Sequence, residues 1–563
     1  MLRGLEICYL LLLLVLSVPM TGCAHAERHK PTHNKDASAD MTQHEPQDAK
    51  TAVARSAAKL PELVSTEDLA LNELIKWIYT GCIFERLNDP MPPALPYKWF
   101  HPGGGYVGQW IFDTPFVLMA YAPLNDNDTI HEVFENYWYT VENNPEAPKG
   151  SYRYGMVPNY LRFWPPLGYS QMPILAWGCD MVARQTNDRQ LIERCLPYLV
   201  KFDEWYSTER DTDDDGLIEY GAYKPFVPDM VQTARFETMD YTPSLDDMKM
   251  TKHPRRDSGG EWYGNVEGVD NTCYLLMSER AIVSMARKLG QHDLAERYEK
   301  VIARRVKAIQ EKMWDPETRF FYSVDRDTHQ KIPVRTIQGF FMLASEVATP
   351  EQATALVEQL RDPKQWWCTY PVPTVAMNDP KFDRKGIWRG DMWPPTTYMV
   401  CYGLNRYGYH DVAYDLTLKM VELARTRGIS ERYDGTTGRP LGVRNLGMSC
   451  AIWLAVVQNV YGVQDDYQTI RISPKARGRR LRLGQLEVAY PRTGTVELKS
   501  GFQREFHVVF PDRRDLSKAA VLCDGIQLPH ADVTISGQTV AFTALPGKTY
   551  RVAAARRTFG LPF

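Results

Sequence analysis

Residues 66–79 read TEDLALNELIKWIY, and their apolar side chains recur at three- and four-residue intervals behind a Ser65/Thr66 cap. That period belongs to a helix that turns one face to a core. The same period returns at 171–185, 191–207, 270–289, 293–313, 335–348, 351–361, 394–407, 410–426 and 447–461, with loops rich in Pro, Gly and Trp between the segments. Helices repeated in this way across 59–466 predict a mainly α chain closed as an (α/α)6 toroid.

After residue 465 the period drops to two. TGTVELKS (493–500), EFHVVF (505–510), AAVLCDG (519–525), ADVTI (531–535) and TVAFTAL (539–545) read as short strands, with Asp524-Gly525 and Ser536-Gly537 as hairpin signals. Residues 467–563 are therefore expected to form a small C-terminal β-sandwich, whose carboxylates are scattered and carry no chemistry.

The other end of the chain reads as an address. Residues 1–23, MLRGLEICYLLLLLVLSVPMTGC, start with basic Arg3 and carry an apolar run at 8–19. That run is too short for a membrane span, which needs about 20 residues. Met20-Thr21-Gly22-Cys23 resembles a bacterial lipobox, which implies lipidation of Cys23; cleavage after Ala24-His25-Ala26 is the alternative. Residues 24–58 are polar and aperiodic, the composition of a disordered tether. The expected protein is exported, either anchored to a membrane through lipid alone or free in the periplasm or outside the cell.

Charge and rings narrow the partners. The 66 basic residues nearly balance the 69 acidic ones, which argues against nucleic acid. The chain has 14 Trp and 31 Tyr against 20 Phe, a bias to polar-tipped rings that suits a wet, stacking surface. The cysteines beyond the leader form no C-x-x-C pair. Cys179 with Cys195 is one possible disulfide, but most of the cysteines read as small buried hydrophobes.

There is no dinucleotide fingerprint, P-loop, nucleophile elbow or H-E-x-x-H. What stands out is carboxylates set in Trp, Tyr and Gly loops. This is the composition of a sugar site, where rings stack on pyranose faces and carboxylates bind hydroxyls or move protons. The loops are GGGYVGQWIFDTPF (103–116), GMVPNYLRFWPPLGYSQMP (155–173), DTDDDGLIEYG (211–221), FETMDYTPS (236–244), GIWRGDMWPP (386–395) and SERYDGTTGRPLG (430–442).

In this order the six loops resemble those of glycoside hydrolase families 37 and 63, the trehalase, α-glucosidase and mannosylglycerate-hydrolase-like group. The resemblance spans about 100–460 and implies an (α/α)6 barrel and an inverting, two-carboxyl hydrolysis that needs no cofactor. It implies Asp240 in ETMDYTPS as the general acid and Glu431 in ERYDGTTG as the general base. Thr238 and Ser244 depart from the usual acid loop. Asp270 is the rival acid, although it opens an apolar run as an N-cap would, and Glu237 and Asp246 are lesser rivals.

The same matches imply the sugar-holding residues. Trp110, Phe112 and Asp113 resemble the family's first sugar-binding loop, Asp113 being alternatively a helix cap. Asn159 and Gln171 look like amide ligands or loop braces. Trp388, Arg389 and Trp393 look like the floor and wall near the cleaved bond, Arg389 with paired donors for hydroxyls or a charged leaving group. Asp391 stands where the family often has an apolar residue, which implies a different substrate.

Asp211, Asp213 and Asp215-Gly216 resemble the first half of a calcium loop. The twelfth position, Ala222, lacks the required Glu, so the stretch reads as a turn and no metal is assigned. Glu219 in that stretch is placed at the sugar by its E-Y-G context. Two other classes stay open: a non-catalytic glycan-binding lipoprotein on the same toroid, and a toroidal polysaccharide lyase. The lyase is disfavoured because the loops hold no Tyr/His pair and only Arg389 and Arg432 as basic candidates.

Overall fold

The computed structural model describes residues 57–166, 168–223, 242–252, 261–511 and 514–555, all within the unit Asp48–Phe563. Twelve helices among them organise the α body. They are α1 Leu69–Trp77, α2 Asp113–Tyr121, α3 Asn127–Asn143, α4 Leu175–Thr186, α5 Arg189–Glu209 and α6 Val269–Lys288, followed by α7 His292–Ala308, α8 Phe341–Ala344, α9 Pro350–Leu360, α10 Pro394–Arg406, α11 His410–Arg427 and α12 Ala451–Ala455. The even-numbered helices pack in sequence, α2 on α4, α4 on α6 and so on, and α12 returns to α2. That closed ring is the inner wall of an (α/α)6 toroid.

Burial separates the two layers. Every residue of α2 is buried, whereas α7 buries only Ala295, Tyr298, Arg305 and Ala308. A helix walled in on all sides must be apolar all round, and one that covers a ring needs a single stripe. The outer helices also carry the clearest start signals. Asp68, Asp126 and Asp188 cap α1, α3 and α5, and Thr349 with Gln352 forms a capping box on α9. The cap of the first helix is thus Asp68, later than the Ser65/Thr66 reading. Residues 64–66 instead form a strand paired with Arg480–Leu483.

After the toroid come two sheets. One runs Val64–Thr66, Arg480–Leu483, Leu486–Arg492, Thr495–Ser500, Thr549–Ala555, Asp515–Cys523, Ile526–Gln527, and the other Thr469–Arg471, Arg504–Val509, Thr539–Ala544, Val533–Ser536. The Asp524-Gly525 and Ser536-Gly537 turns join strands as read, with Asp524, Gly525 and Gly537 at positive φ. The described cysteines are free; Cys179 and Cys195 are both buried, and Cys195 Sγ accepts from Trp138 Nε1 at 3.4 Å. Among the described residues no helix is long and apolar enough to cross a membrane. Cys23, the leader, the tether through Ser56, Glu237, Asp240 and Tyr241 lie outside the described residues.

Candidate active site

Glu431 lies in the strand Ser430–Tyr433, which forms a hairpin with Pro440–Arg444. The register shifts between Ser430 and Arg432, so Glu431 sits at an irregularity of the kind that re-aims a side chain. Its Oε2 accepts the Val443 N–H at 2.7 Å, and its Oε1 accepts the Tyr106 hydroxyl at 3.1 Å. Gly442, at φ 71°, lets the backbone pass this carboxylate, because a Cβ there would run into Oε2. Burial raises the Glu431 pKa above 4.5, and the two hydrogen bonds pull it partly back.

The loop of residues 106–113 completes this wall. Trp110 lies edge-on to Tyr106 at 5.7 Å and stacks on Tyr160 at 4.4 Å. The short strands Gln109–Trp110 and Tyr160–Leu161 pair, and the Ile111 N–H donates to the Asn159 carbonyl at 3.2 Å. Asp113 opens α2 from a site 9 % exposed. Burial, and then the charge of Glu431, push its pKa from 3.8 to about 8. Trp110 Nε1, Asp113 Oδ1 and Asn159 Oδ1 are buried with no hydrogen-bond partner among the described residues. Such atoms cost about 1–3 kcal/mol each unless something fills the gap. A donor and two oxygens left open beside an aromatic ring match the hydroxyls of a sugar, which both donate and accept.

Asp113→Asn tests this strain. The folded protein keeps the Asp113 proton up to about pH 8, whereas an ordinary Asp loses it near 3.8. Wild-type stability therefore falls as pH rises through that window. The variant is expected to melt a few degrees above wild type at pH 8, to match it at pH 4, and to bind substrate at least tenfold more weakly. Melting curves at the two pH values and the Michaelis constant check it.

Two other residues of these loops brace the site. Gln171 Oε1 accepts the Phe112 N–H at 3.1 Å, so its carbonyl is engaged in holding the loop. The Phe112 ring packs on Phe116 at 5.4 Å and Tyr274 at 5.8 Å and is 3 % exposed. It belongs to the toroid core, not to a sugar wall, because the α2 entry turns it inward.

The 386–395 loop docks on the Glu431 strand through paired backbone bonds between Met392 and Tyr433, both 2.8 Å. Trp388 and Trp393 stack on each other at 3.9 Å, so one face of each ring is already covered. Fully buried Asp391 organises the loop. It accepts from the Trp388 N–H at 3.1 Å, Trp393 Nε1 at 2.9 Å, Thr374 Oγ1 at 2.8 Å and Arg432 Nη1 at 3.1 Å. Trp388 is held in the left-handed region at φ 59°, and the bond to Asp391 helps keep it there. The polarity at position 391 thus stabilises the loop and the neighbour of Glu431, with both oxygens engaged inside the protein. Asp391→Ala would strip a half-buried guanidinium of its carboxylate, leaving it the Lys385 carbonyl, and leave the buried Trp393 indole N–H unpaired, an expected loss of about 2–3 kcal/mol in denaturant unfolding.

Arg389 is committed elsewhere. Its guanidinium forms a two-pronged ion pair with Asp246, which Lys381 also meets at 3.0 Å. The donors read as substrate contacts therefore clamp two loops together. Tyr433 is likewise structural, its hydroxyl donating to the Gly428 carbonyl at 2.7 Å and accepting the Ser430 N–H at 2.8 Å.

Glu219 does not join the Glu431 loops through any bond among the described residues. It is fully buried, accepts from the Thr212 N–H and hydroxyl, and pairs with Arg326 at 3.2 Å. Asp270 is not the N-cap, which is Gly268. It sits in the first turn of α6, buried, and accepts from the Tyr220 hydroxyl at 2.5 Å and Gln338 Nε2 at 3.1 Å. Sequence reasoning passes over Tyr106, Tyr160 and Gly442. Tyr106 sits four residues before Trp110 in the quoted loop, and Gly442 closes the quoted Glu431 loop.

Comparison with known proteins adds the lineage. The mannosylglycerate hydrolase MGH1-like glycoside hydrolase domain matches residues 106–449. A mannosylglycerate hydrolase of Rubrobacter radiotolerans is 30% identical over 195 residues, covering 34% of this chain and 44% of the relative, less than half its length. Mannosylglycerate hydrolase MGH1 of Selaginella moellendorffii is 22% identical over 429 residues, covering 66% of this chain and 82% of the relative. The crystal structure of a family 63 mannosylglycerate hydrolase from Thermus thermophilus with Tris superposes with a TM-score of 0.53 at 21% identity, covering 67% of this chain and 99% of the other. At that identity the likeness speaks for the shared toroid.

Proposed function

We propose that this chain, which belongs to the mannosylglycerate hydrolase MGH1-like glycoside hydrolase family, hydrolyses an α-mannosidic or α-glucosidic bond with inversion, Asp240 acting as general acid and Glu431 as general base. The observation that carries this reading is the set of side chains gathered around Glu431. A buried carboxylate with raised basicity shares this set with Trp110 Nε1, Asp113 Oδ1 and Asn159 Oδ1, buried atoms with no protein partner among the described residues. An inverting enzyme needs such a base to draw a proton from water while an acid protonates the leaving oxygen across a gap of about 6.5–9.5 Å.

Support for Asp240 comes through its chain neighbour. Asp246, six positions further on, is ion-paired to Arg389, and the Arg389 loop is backbone-paired to the Glu431 strand. Asp246 is thereby tied to the loop that docks on the Glu431 strand. Mannosylglycerate, named in the relatives, is the first substrate to offer, followed by α-linked disaccharides. Proton NMR of the first-formed sugar is the test: a β-anomer from an α-linked substrate is expected, and an α-anomer would overturn the mechanism.

The reading extends to the rest of the chain. Residues 1–23 direct export with lipidation at Cys23, residues 24–58 tether the enzyme, and the catalytic body spans 59–466. The two sheets in 467–563 form a sandwich, supported by the 5.2 Å ring contact of Phe542 in one sheet with Tyr550 in the other. Labelling with palmitate, abolished by Cys23→Ala, tests the anchor.

A further inference from the structure

A cavity of about 400 Å³ opens where the toroid meets the two sheets. Four turns form it. Two belong to the toroid: residues 125–127 between α2 and α3, and 186–190 between α4 and α5. Two belong to the sheets: Gly484-Gln485, which joins Arg480–Leu483 to Leu486–Arg492, and the turn at 501–503, which carries Phe502. The volume falls in the range of small-molecule sites, about 300–1,000 Å³. The match to the family domain ends at residue 449, so Gln485 and Phe502 lie outside it.

The turns are shaped to meet. Gly484 is at φ 54°, and a Cβ there would run into the Pro123 carbonyl. The backbone of the sheet turn thus rests directly on the turn between α2 and α3. Gly501 does the same for Gln485: its N–H donates to the Gln485 carbonyl at 2.8 Å, and its missing Cβ leaves room for Gln485 Oε1.

The lining suits a ligand that is polar but uncharged. Its charged side chains are engaged within the protein. Asp188 accepts the Leu191 N–H at 3.0 Å and meets His131 Nε2 at 2.8 Å. Arg189 donates to Glu193 at 2.7 Å and to the Lys288 carbonyl at 2.9 Å. The amides are open. The side chains of Asn127, Asn187, Gln190 and Gln485 make no hydrogen bond among the described residues, and Asn125 uses only Nδ2, on the Pro123 carbonyl at 3.2 Å. An amide presents donors and an acceptor side by side, which matches adjacent hydroxyls. Half-buried Phe502, with the Arg504 guanidinium 5.7 Å from its ring centroid, supplies an apolar surface for the C–H face of a pyranose.

We propose that this cavity binds a neutral mono- or disaccharide, as a second carbohydrate site apart from Glu431. Asp188 is the one carboxylate in its lining and is already committed, so the site holds the sugar without cleaving it. A sugar bound there touches both the toroid and the sheets, and so links the two.

The test uses the full chain with mannose, trehalose and glucose 6-phosphate as probes, read by saturation-transfer NMR and by hydrogen exchange along the chain. Mannose or trehalose is expected to bind saturably and to slow exchange at 186–191 and 484–503, and glucose 6-phosphate to bind no better. Asn187→Gly, which keeps the left-handed backbone at φ 54°, Gln485→Ala and Phe502→Ala are each expected to weaken this binding about fivefold or more. Turnover of an accepted glycoside should stay within about twofold of wild type. Asn187 and Gln485 are exposed, so their variants keep the fold even where Phe502→Ala does not. Absence of slowed exchange in these segments with both neutral sugars overturns the proposal. So does equal protection in wild type, Asn187→Gly and Gln485→Ala, and so does tighter binding of the phosphorylated sugar, which would make this an anion site. None of these readings passes through catalysis, so a chain that hydrolyses nothing would overturn the role of Glu431 and leave the second site standing.

Discussion

Glu431→Gln is expected to lower turnover about 10³- to 10⁴-fold while the protein melts at or above wild type. Gln matches the carboxylate in size and can still accept one of the two hydrogen bonds from Val443 and Tyr106. It cannot take a proton from water, which is the step an inverting base performs. The same geometry sets a pH dependence. Glu431 works as the anion, and burial raises its pKa above the ordinary 4.5, so kcat/KM should fall as pH drops through that raised value. Tyr106→Phe removes a donor that favours the anion. Its acid limb should therefore move to higher pH, with most of the high-pH turnover kept. Asp113 keeps its proton up to about pH 8 and is neutral through that limb, so Asp113→Asn should leave the limb in place. Turnover in Glu431→Gln within tenfold of wild type would sink the base assignment.

The contrast between the two helix layers shows what can be read from sequence alone. The outer helices α7 and α9 present one apolar stripe each, and the period exposes them. Helix α2, DTPFVLMAY, is buried on every side, so it has no polar face to mark its period and passes for a loop end. Helix α3 escapes for another reason: its stripe is built partly of Tyr137 and Trp138 among Asn and Glu, which a count of aliphatic residues undervalues. The site divides similarly. Trp110, Asp113 and Glu431 lie in loops whose motifs are local, and the structure brings them to one wall. Phe112 and Arg389 lie in equally clear motifs, but what they touch is set by Tyr274 and Asp246, far away in the chain. Asp391 reads as polarity offered to a substrate because nothing in sequence reveals that Thr374 and Arg432 already claim its oxygens. Tyr106 and Glu431 are 325 positions apart, and no spacing rule links them.

Asp240→Asn should show a loss that depends on the leaving group. A general acid matters in proportion to how badly the departing oxygen needs a proton. An alkyl-type leaving group such as glycerate or a sugar hydroxyl leaves as a strong base, so the variant should lose about 10²- to 10⁴-fold in kcat/KM on such substrates. Fluoride needs little protonation, so hydrolysis of the matching glycosyl fluoride, in the anomer the enzyme cleaves, should fall less than tenfold. Glu431→Gln must behave differently, because water has to be activated whichever group leaves; its loss should be similar on both substrates. The basic limb of the wild-type pH profile should vanish in Asp240→Asn, since that limb reports ionisation of the acid. The comparison separates the acid from its rivals. Asp246 already serves two cations, Arg389 and Lys381, which hold its pKa below the ordinary range and keep it ionised, unfit to donate a proton near neutrality. Asp246→Asn should therefore loosen the clamp on the 386–395 loop and lower both substrates' rates together. A selective loss on poor leaving groups in Asp246→Asn or Asp270→Asn, with Asp240→Asn unselective, would move the acid away from Asp240.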